Sequence, residues 1–230
     1  MSAPGALVET AVAAARFGGE VLVANWRNLP RGSVEEKQKN DFVTHADRES
    51  EERIVSTIRQ RFPQDAFLGE EGGVRTGGAG ARLWIIDPLD GTSNFVSGFP
   101  FWCVSIAARE GDELVAAVVW DPLRDEMYTA ERGGGAYRNG ERLSVTERPG
   151  LEGAFIATGF PFRNRHKIDP YLALFKAVFV HARAIRRAGS AALDLAYVAA
   201  GVFDGFFEFR LAPWDIAAGA LLIEEAGGQL

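Results

Sequence analysis

The chain has a single cysteine, Cys103, in 230 residues, which excludes an internal disulfide and suits a reducing cytoplasm. It lacks any apolar run near the eighteen or so residues that a membrane helix needs. Its opening, MSAPGALVETAVAAARF, lacks the basic start and cleavable apolar core of a secretory signal, so a cytoplasmic protein without a membrane contact is expected. Positive charge is also scarce: 25 lysines and arginines face 31 aspartates and glutamates, a formal charge of −6. That excludes the basic surface of a general nucleic-acid binder, and no direct nucleic-acid binding is expected. An acidic balance fits instead a protein that collects carboxylates around cations. Repeats, low-complexity segments and a linker that would divide the chain are all missing.

What is present is enough apolar residue, 47% of the chain, for one large domain or two small ones with a substantial core. Residues 5–28 place Leu7, Val8, Ala11, Val12, Ala15, Val21 and Leu22 at helical spacing. A polar loop is expected at 29–40, and a second helix over 47–61 carries Ile54, Val55 and Ile58 inward. AFLGE (66–70) reads as a short strand ending at Glu70 and Glu71, followed by a glycine-dense, mobile stretch at 72–80. Strand signals dominate from RLWIID to the Asn139-Gly140 hairpin turn. After residue 150 strands and helices alternate, ending in a helix that opens at APWDIAAGA, with Pro213 in its first turn and Gly227-Gly228 at its end. Layers of this kind predict an α+β or mixed α/β sandwich.

Chemistry concentrates in WIIDPLDGTSNF (84–95). The run LWII reads as a strand buried on both faces, with Asp87 at its end. Pro88 would turn the chain so that Asp90 faces the same point, and Gly91-Thr92 would open a helix whose free N–H groups suit a phosphate. Asp, Pro and Gly are also ordinary turn formers, so the stretch alone defines only a turn. The aspartate-nucleophile phosphatases, whose strand ends in D-x-D-G-T, are excluded by the D-x-x-D-G-T spacing. Glu70 by itself is a loop acid, and Asp215 a first-turn acid favoured by the helix dipole. Two close carboxylates repel, so a cation between them is the physical expectation.

Taken together, NDFVTHAD (40–47), FLGEE (67–71), WIIDPLDGTSNF (84–95), RRAGSAALDLAYVAAG (186–201) and PWDIAAGALLIEEAGG (213–228) resemble the inositol monophosphatase family, in order, spacing and over essentially the whole chain. The resemblance implies a layered αβαβα sandwich of the sugar-phosphatase type, as a single domain over 1–230 that lacks the family's usual C-terminal strands and helix. It implies two or three Mg²⁺ held by Glu70, Asp87, Asp90, Asp215 and the carbonyl of Leu89. Hard oxygen ligands suit that ion. It implies Thr92 and Asp47, with Glu70 nearby, as the group that orients and deprotonates the attacking water. Asp90, Gly91, Thr92, Arg186, Gly189, Ser190, Ala191, Glu208 and Asp215 are implied as substrate contacts, and Lys37 as a residue of a loop near the metals. For Lys37 a solvated lysine, and for Arg186 a surface or interface arginine, are equally open.

The implied activity is Mg²⁺-dependent, lithium-sensitive hydrolysis of a small phosphorylated polyol by a homodimer, with myo-inositol monophosphate the expected substrate. Fructose 1,6-bisphosphate, histidinol phosphate and 3′-phosphoadenosine 5′-phosphate share the motifs, and a regulatory role with a protein partner in transcription complexes leaves the same residues intact. A decayed enzyme is disfavoured because every charged site residue is present. Arg210 departs from the family, which commonly has glycine there.

Overall fold

A computed structural model describes residues 5–28, 34–38, 41–78 and 80–230; the side chains of 34–38, 41–43, 163 and 164 are outside that description, and Lys37 with them. Helix α1 spans Ala6–Asn25 and buries Val8, Ala11, Ala14, Ala15 and Leu22, the stripe its spacing predicts. Strands β1 (Val34–Gln38) and β2 (Asp41–Thr44) pair antiparallel. The expected polar loop at 29–40 therefore contains a strand. Its pairing is made by backbone groups, and a polar ribbon carries no hydrophobic alternation to announce it. Helix α2 (His45–Arg61) starts at a capping box in which the Thr44 side chain accepts from backbone N–H groups of Ala46 and Asp47, and Asp47 answers the Thr44 N–H.

The main sheet has eight strands. It contains β3 (Ala66–Gly69), β4 (Gly73–Arg75), β5 (Leu83–Asp90), β6 (Cys103–Glu110), β7 (Glu113–Asp121), β8 (Glu126–Glu131), β9 (Gly135–Arg138) and β10 (Glu141–Arg142), in the order β10-β9-β8-β7-β6-β5-β3-β4. The glycine-dense stretch thus holds β4, antiparallel to β3. A three-stranded parallel sheet is formed by β11 (Phe155–Thr158) between β12 (Ala184–Arg186) and β13 (Gly205–Phe207).

Helices sort into three layers around these sheets. One apolar cluster joins α1 and α2 to one face of the main sheet through Leu22, Ile54, Ile58, Trp84, Ile86 and Ile106. A second fills the space between its other face, the small sheet, and helices α5 (Ala191–Ala199) and α6 (Pro213–Glu225). A third, with Ile156 and Val178, covers the small sheet's far face with α4 (Ile168–Phe179). The order is αβαβα, as the resemblance implied. The remaining helix, α3 (Thr92–Ser97), follows β5 directly, and the C-terminal end of β5 opens toward the starts of α5 and α6.

Candidate metal centre and active site

The expectation that Pro88 turns the chain at a strand end is not what β5 does. The strand continues through Pro88 to Asp90, and the extra residue is absorbed in a bulge: Asp87 faces Ser105 and Asp90 faces Cys103, so that Pro88 and Leu89 on β5 stand against Val104 alone on β6. Proline has no N–H to give to the ladder, so a bulge is where a sheet accepts it. The bulge brings both carboxylates to one side. The Leu89 N–H donates to Asp87 Oδ1 at 3.0 Å. Gly91 then takes φ 97°, where a Cβ would come within 3.0 Å of the Phe101 carbonyl oxygen, so glycine is required between the strand and α3.

Each remaining carboxylate is held by backbone from a different element. Asp90 Oδ2 accepts from Ser190 Oγ at 2.6 Å and from the Ala192 N–H at 2.7 Å, at the start of α5. Asp215, in the first turn of α6, accepts from the Ala212 N–H at 2.7 Å. Oxygen atoms of Asp87, Asp90 and Asp215 lie within 4.8 Å of one another. Burial, then the charges of Glu70, Asp90 and Asp215, push the Asp87 carboxyl well above its ordinary range. Such mutual repulsion is what a cation relieves, and an all-oxygen donor set of this kind fits Mg²⁺.

These residues line one cavity of about 170 Å³, together with Glu70, Leu89, Gly91, Thr92, Gly189, Ser190, Ala191 and Glu208. Thr92 Oγ lies 3.1 Å from the Leu89 carbonyl oxygen and 3.3 Å from Asp47 Oδ1, so its hydroxyl hydrogen has two acceptors within reach. Asp47 is 1% exposed, and burial raises its pKa to about 6. Arg186 does not line the cavity. Its guanidinium lies 4.9 Å from the Phe155 ring centroid and donates to the carbonyl of Ile185. Its neighbour Arg187 lines the wall instead, because side chains alternate along an extended segment and only one of two adjacent arginines can face inward.

Two residues were not foreseen. Glu51, 1% exposed on α2, accepts from the Glu71 and Gly72 N–H groups, both at 2.8 Å, and pairs with Arg75 at 3.1 Å. It fixes the turn that carries Glu70. Asp194 on α5 is 2% exposed, lines the cavity, and its Oδ1 is buried without a hydrogen-bond partner. Burial first, then Asp90 and Glu208, raise its pKa to about 8. A buried acid inside the helical pattern SAALDLAYVAAG was the available signal for it. Cys103 is buried beside Ser190 and its thiol is pushed up by burial, which makes it a poor nucleophile.

A layered αβαβα fold with an acidic cavity at the junction of its sheets defines a class, and comparison identifies it. The model of the inositol monophosphatase family matches residues 5–230, and the chain belongs to that family. It is 50% identical over 226 residues to the Nus factor SuhB of Pseudomonas aeruginosa, covering 96% of this chain and 83% of that protein. To the fructose-1,6-bisphosphatase/inositol-1-monophosphatase of Aquifex aeolicus it is 44% identical over 221 residues, covering 96% and 83%. The crystal structure of the extragenic suppressor protein suhB from Bartonella henselae superposes with a TM-score of 0.93 at 42% identity, covering 97% of this chain and 86% of that one. Family membership supports a metal-dependent phosphatase. Among the described residues no helix is long and apolar enough to cross a membrane.

Proposed function

We propose that the chain hydrolyses a small phosphorylated polyol, myo-inositol monophosphate among them, with Mg²⁺ held by Glu70, Asp87, Asp90, Asp215 and the Leu89 carbonyl. The observation that carries this reading is the convergence of the Asp87, Asp90 and Asp215 oxygens within 4.8 Å on a small cavity. When bound there, Mg²⁺ supplies positive charge to phosphoryl oxygens and lowers the pKa of water. The chain's own residues do the rest. Asp90 and Asp215 are anchored by backbone N–H groups, so their carboxylates are oriented before any ligand arrives. Thr92, donating to Asp47, presents its hydroxyl oxygen as acceptor for a water proton. Asp47, ionised above about pH 6, receives that proton through the threonine. Gly91 and Thr92 face the phosphate, while Gly189, Ser190, Ala191, Glu208 and Arg187 face the alcohol.

The test is release of inorganic phosphate from myo-inositol 1-phosphate with and without Mg²⁺, and with added Li⁺. Activity should need Mg²⁺, fall on lithium addition, and drop by roughly a thousandfold in Asp90→Asn, since one charged ligand of the reacting centre is lost. Full activity in EDTA would overturn the reading. A second reading is favoured by the name of the Pseudomonas relative, a Nus factor: a protein partner in transcription complexes. Affinity capture with Asp90→Asn as bait tests it, because a regulatory role should survive loss of catalysis.

A further inference from the structure

Arg210 is the cavity residue that the reaction leaves unexplained. It lines the wall next to Glu208 and Phe209, and its backbone sits at φ 61°, the left-handed region that favours glycine. Strain of this kind persists where the surroundings or the function require the residue. Its guanidinium is exposed, and among the described residues no hydrogen bond or ion pair of that group offsets the strain. A second guanidinium lines the same cavity: Arg187 packs 5.1 Å from the Phe162 ring centroid, and a Cβ on Gly189 would lie 2.6 Å from its Nη1. Glu208 and Asp194 line the same cavity, and Asp194 is 2% exposed. Arg187 and Arg210 are thus the two guanidinium groups among the described residues that line this cavity. On the phosphatase reading, the phosphate that is cleaved would sit by the metal ligands. Guanidinium groups recognise phosphate and carboxylate by paired, charge-assisted hydrogen bonds.

We propose that Arg210 is a specificity-determining residue that binds a second anionic group, phosphate or carboxylate, on the alcohol part of the ester. This rests on the phosphatase reading above and sharpens its substrate class to doubly anionic esters.

Matched pairs of esters test it. Fructose 1,6-bisphosphate is compared with fructose 1-phosphate, and 3-phosphoglycerate with glycerol 3-phosphate, in the wild-type chain, Arg210→Gln and Arg210→Gly. The ratio of kcat/KM within a pair is the readout. In wild type at least one ratio should favour the doubly anionic member, and it should fall about tenfold in both variants. The pair that responds distinguishes phosphate from carboxylate. Arg210→Gly relieves the backbone, so its Tm should rise above that of Arg210→Gln, which separates lost recognition from misfolding. Ratios unchanged within about twofold in both variants would overturn the proposal. If the wild-type chain hydrolyses neither myo-inositol 1-phosphate nor any of the four esters, the phosphatase reading fails; whenever the four are not hydrolysed, calorimetric affinities for the same pairs decide Arg210 separately. Weaker binding of only the doubly anionic member in Arg210→Gln supports its role, and equal binding contradicts it.

Discussion

Asp90 and Arg210 line the same cavity and are held in opposite ways. Asp90 sits at the end of a bulged central strand, gripped by Ser190 and the first turn of α5. Arg210 is exposed, strained and unpartnered among the described residues. The same contrast runs along both walls. On the reacting side, Asp87, Asp90 and Asp215 are each fixed by a backbone N–H, so their positions follow from the fold itself. On the alcohol side, Arg187 and Arg210 reach from loops on flexible stems. A family can therefore keep its chemistry while changing its substrate, because altering the second wall does not disturb the ligands of the first.

Asp194 offers the largest break in this pattern, since it belongs to α5 yet has an orphaned oxygen. Its folded pKa of about 8 lies above the ordinary 3.8. From about pH 4 to pH 8 the unfolded chain thus loses a proton that the folded chain keeps, and stability falls as pH rises through that window. Asp194→Asn should remove this loss. In EDTA it is expected to be more stable than wild type by roughly 2–4 kcal/mol at pH 8 and equal to it near pH 4, at up to about 1.4 kcal/mol per pH unit. Denaturant unfolding at the two pH values checks this. The same difference at both would show that Asp194 is ionised in the fold.

Glu51 tests whether the reacting wall really depends on backbone anchoring. Glu51→Gln leaves one of the two N–H groups and Arg75 poorly paired around a buried side chain, and should cost about 2 kcal/mol of stability. Because Glu51 holds the turn bearing Glu70, calorimetric Mg²⁺ affinity should fall with it. Lost stability with unaltered Mg²⁺ affinity would leave Glu51 as scaffold only. The smallest effects separate neighbouring arginines: Arg187→Ala should lower kcat/KM about fivefold, and Arg186→Ala less than about twofold, as exposed charges contribute modestly. The reverse order would return the substrate contact to Arg186.

Much of this was legible in the sequence for identifiable physical reasons. The long helices α1 and α2 announce themselves by a buried stripe, and Asp87, Asp90 and Asp215 fall in motifs whose neighbours (Pro88, Gly91, Pro213) constrain the backbone locally. The bulge was misread as a turn because Pro and Asp have the same local chemistry in both, and only pairing with β6 decides between them. Strand β1 was missed because its residues are polar. Glu51 and Asp194 look like solvated helix residues until tertiary packing buries them. The choice between Arg186 and Arg187 depends on which face of a three-residue strand meets the cavity, and no pattern that short can set it.

On the proposed function, the carboxylates gathered by the β5 bulge hold the cations that activate water against a phosphate ester. A crystal structure grown with Mg²⁺ and inorganic phosphate tests it most directly. The expected result is Mg²⁺ ligated by Asp87, Asp90, Asp215, Glu70 and the Leu89 carbonyl, with phosphate against Gly91 and Thr92. Mg²⁺ bound elsewhere, or phosphate seated only on Arg187 and Arg210, would contradict it.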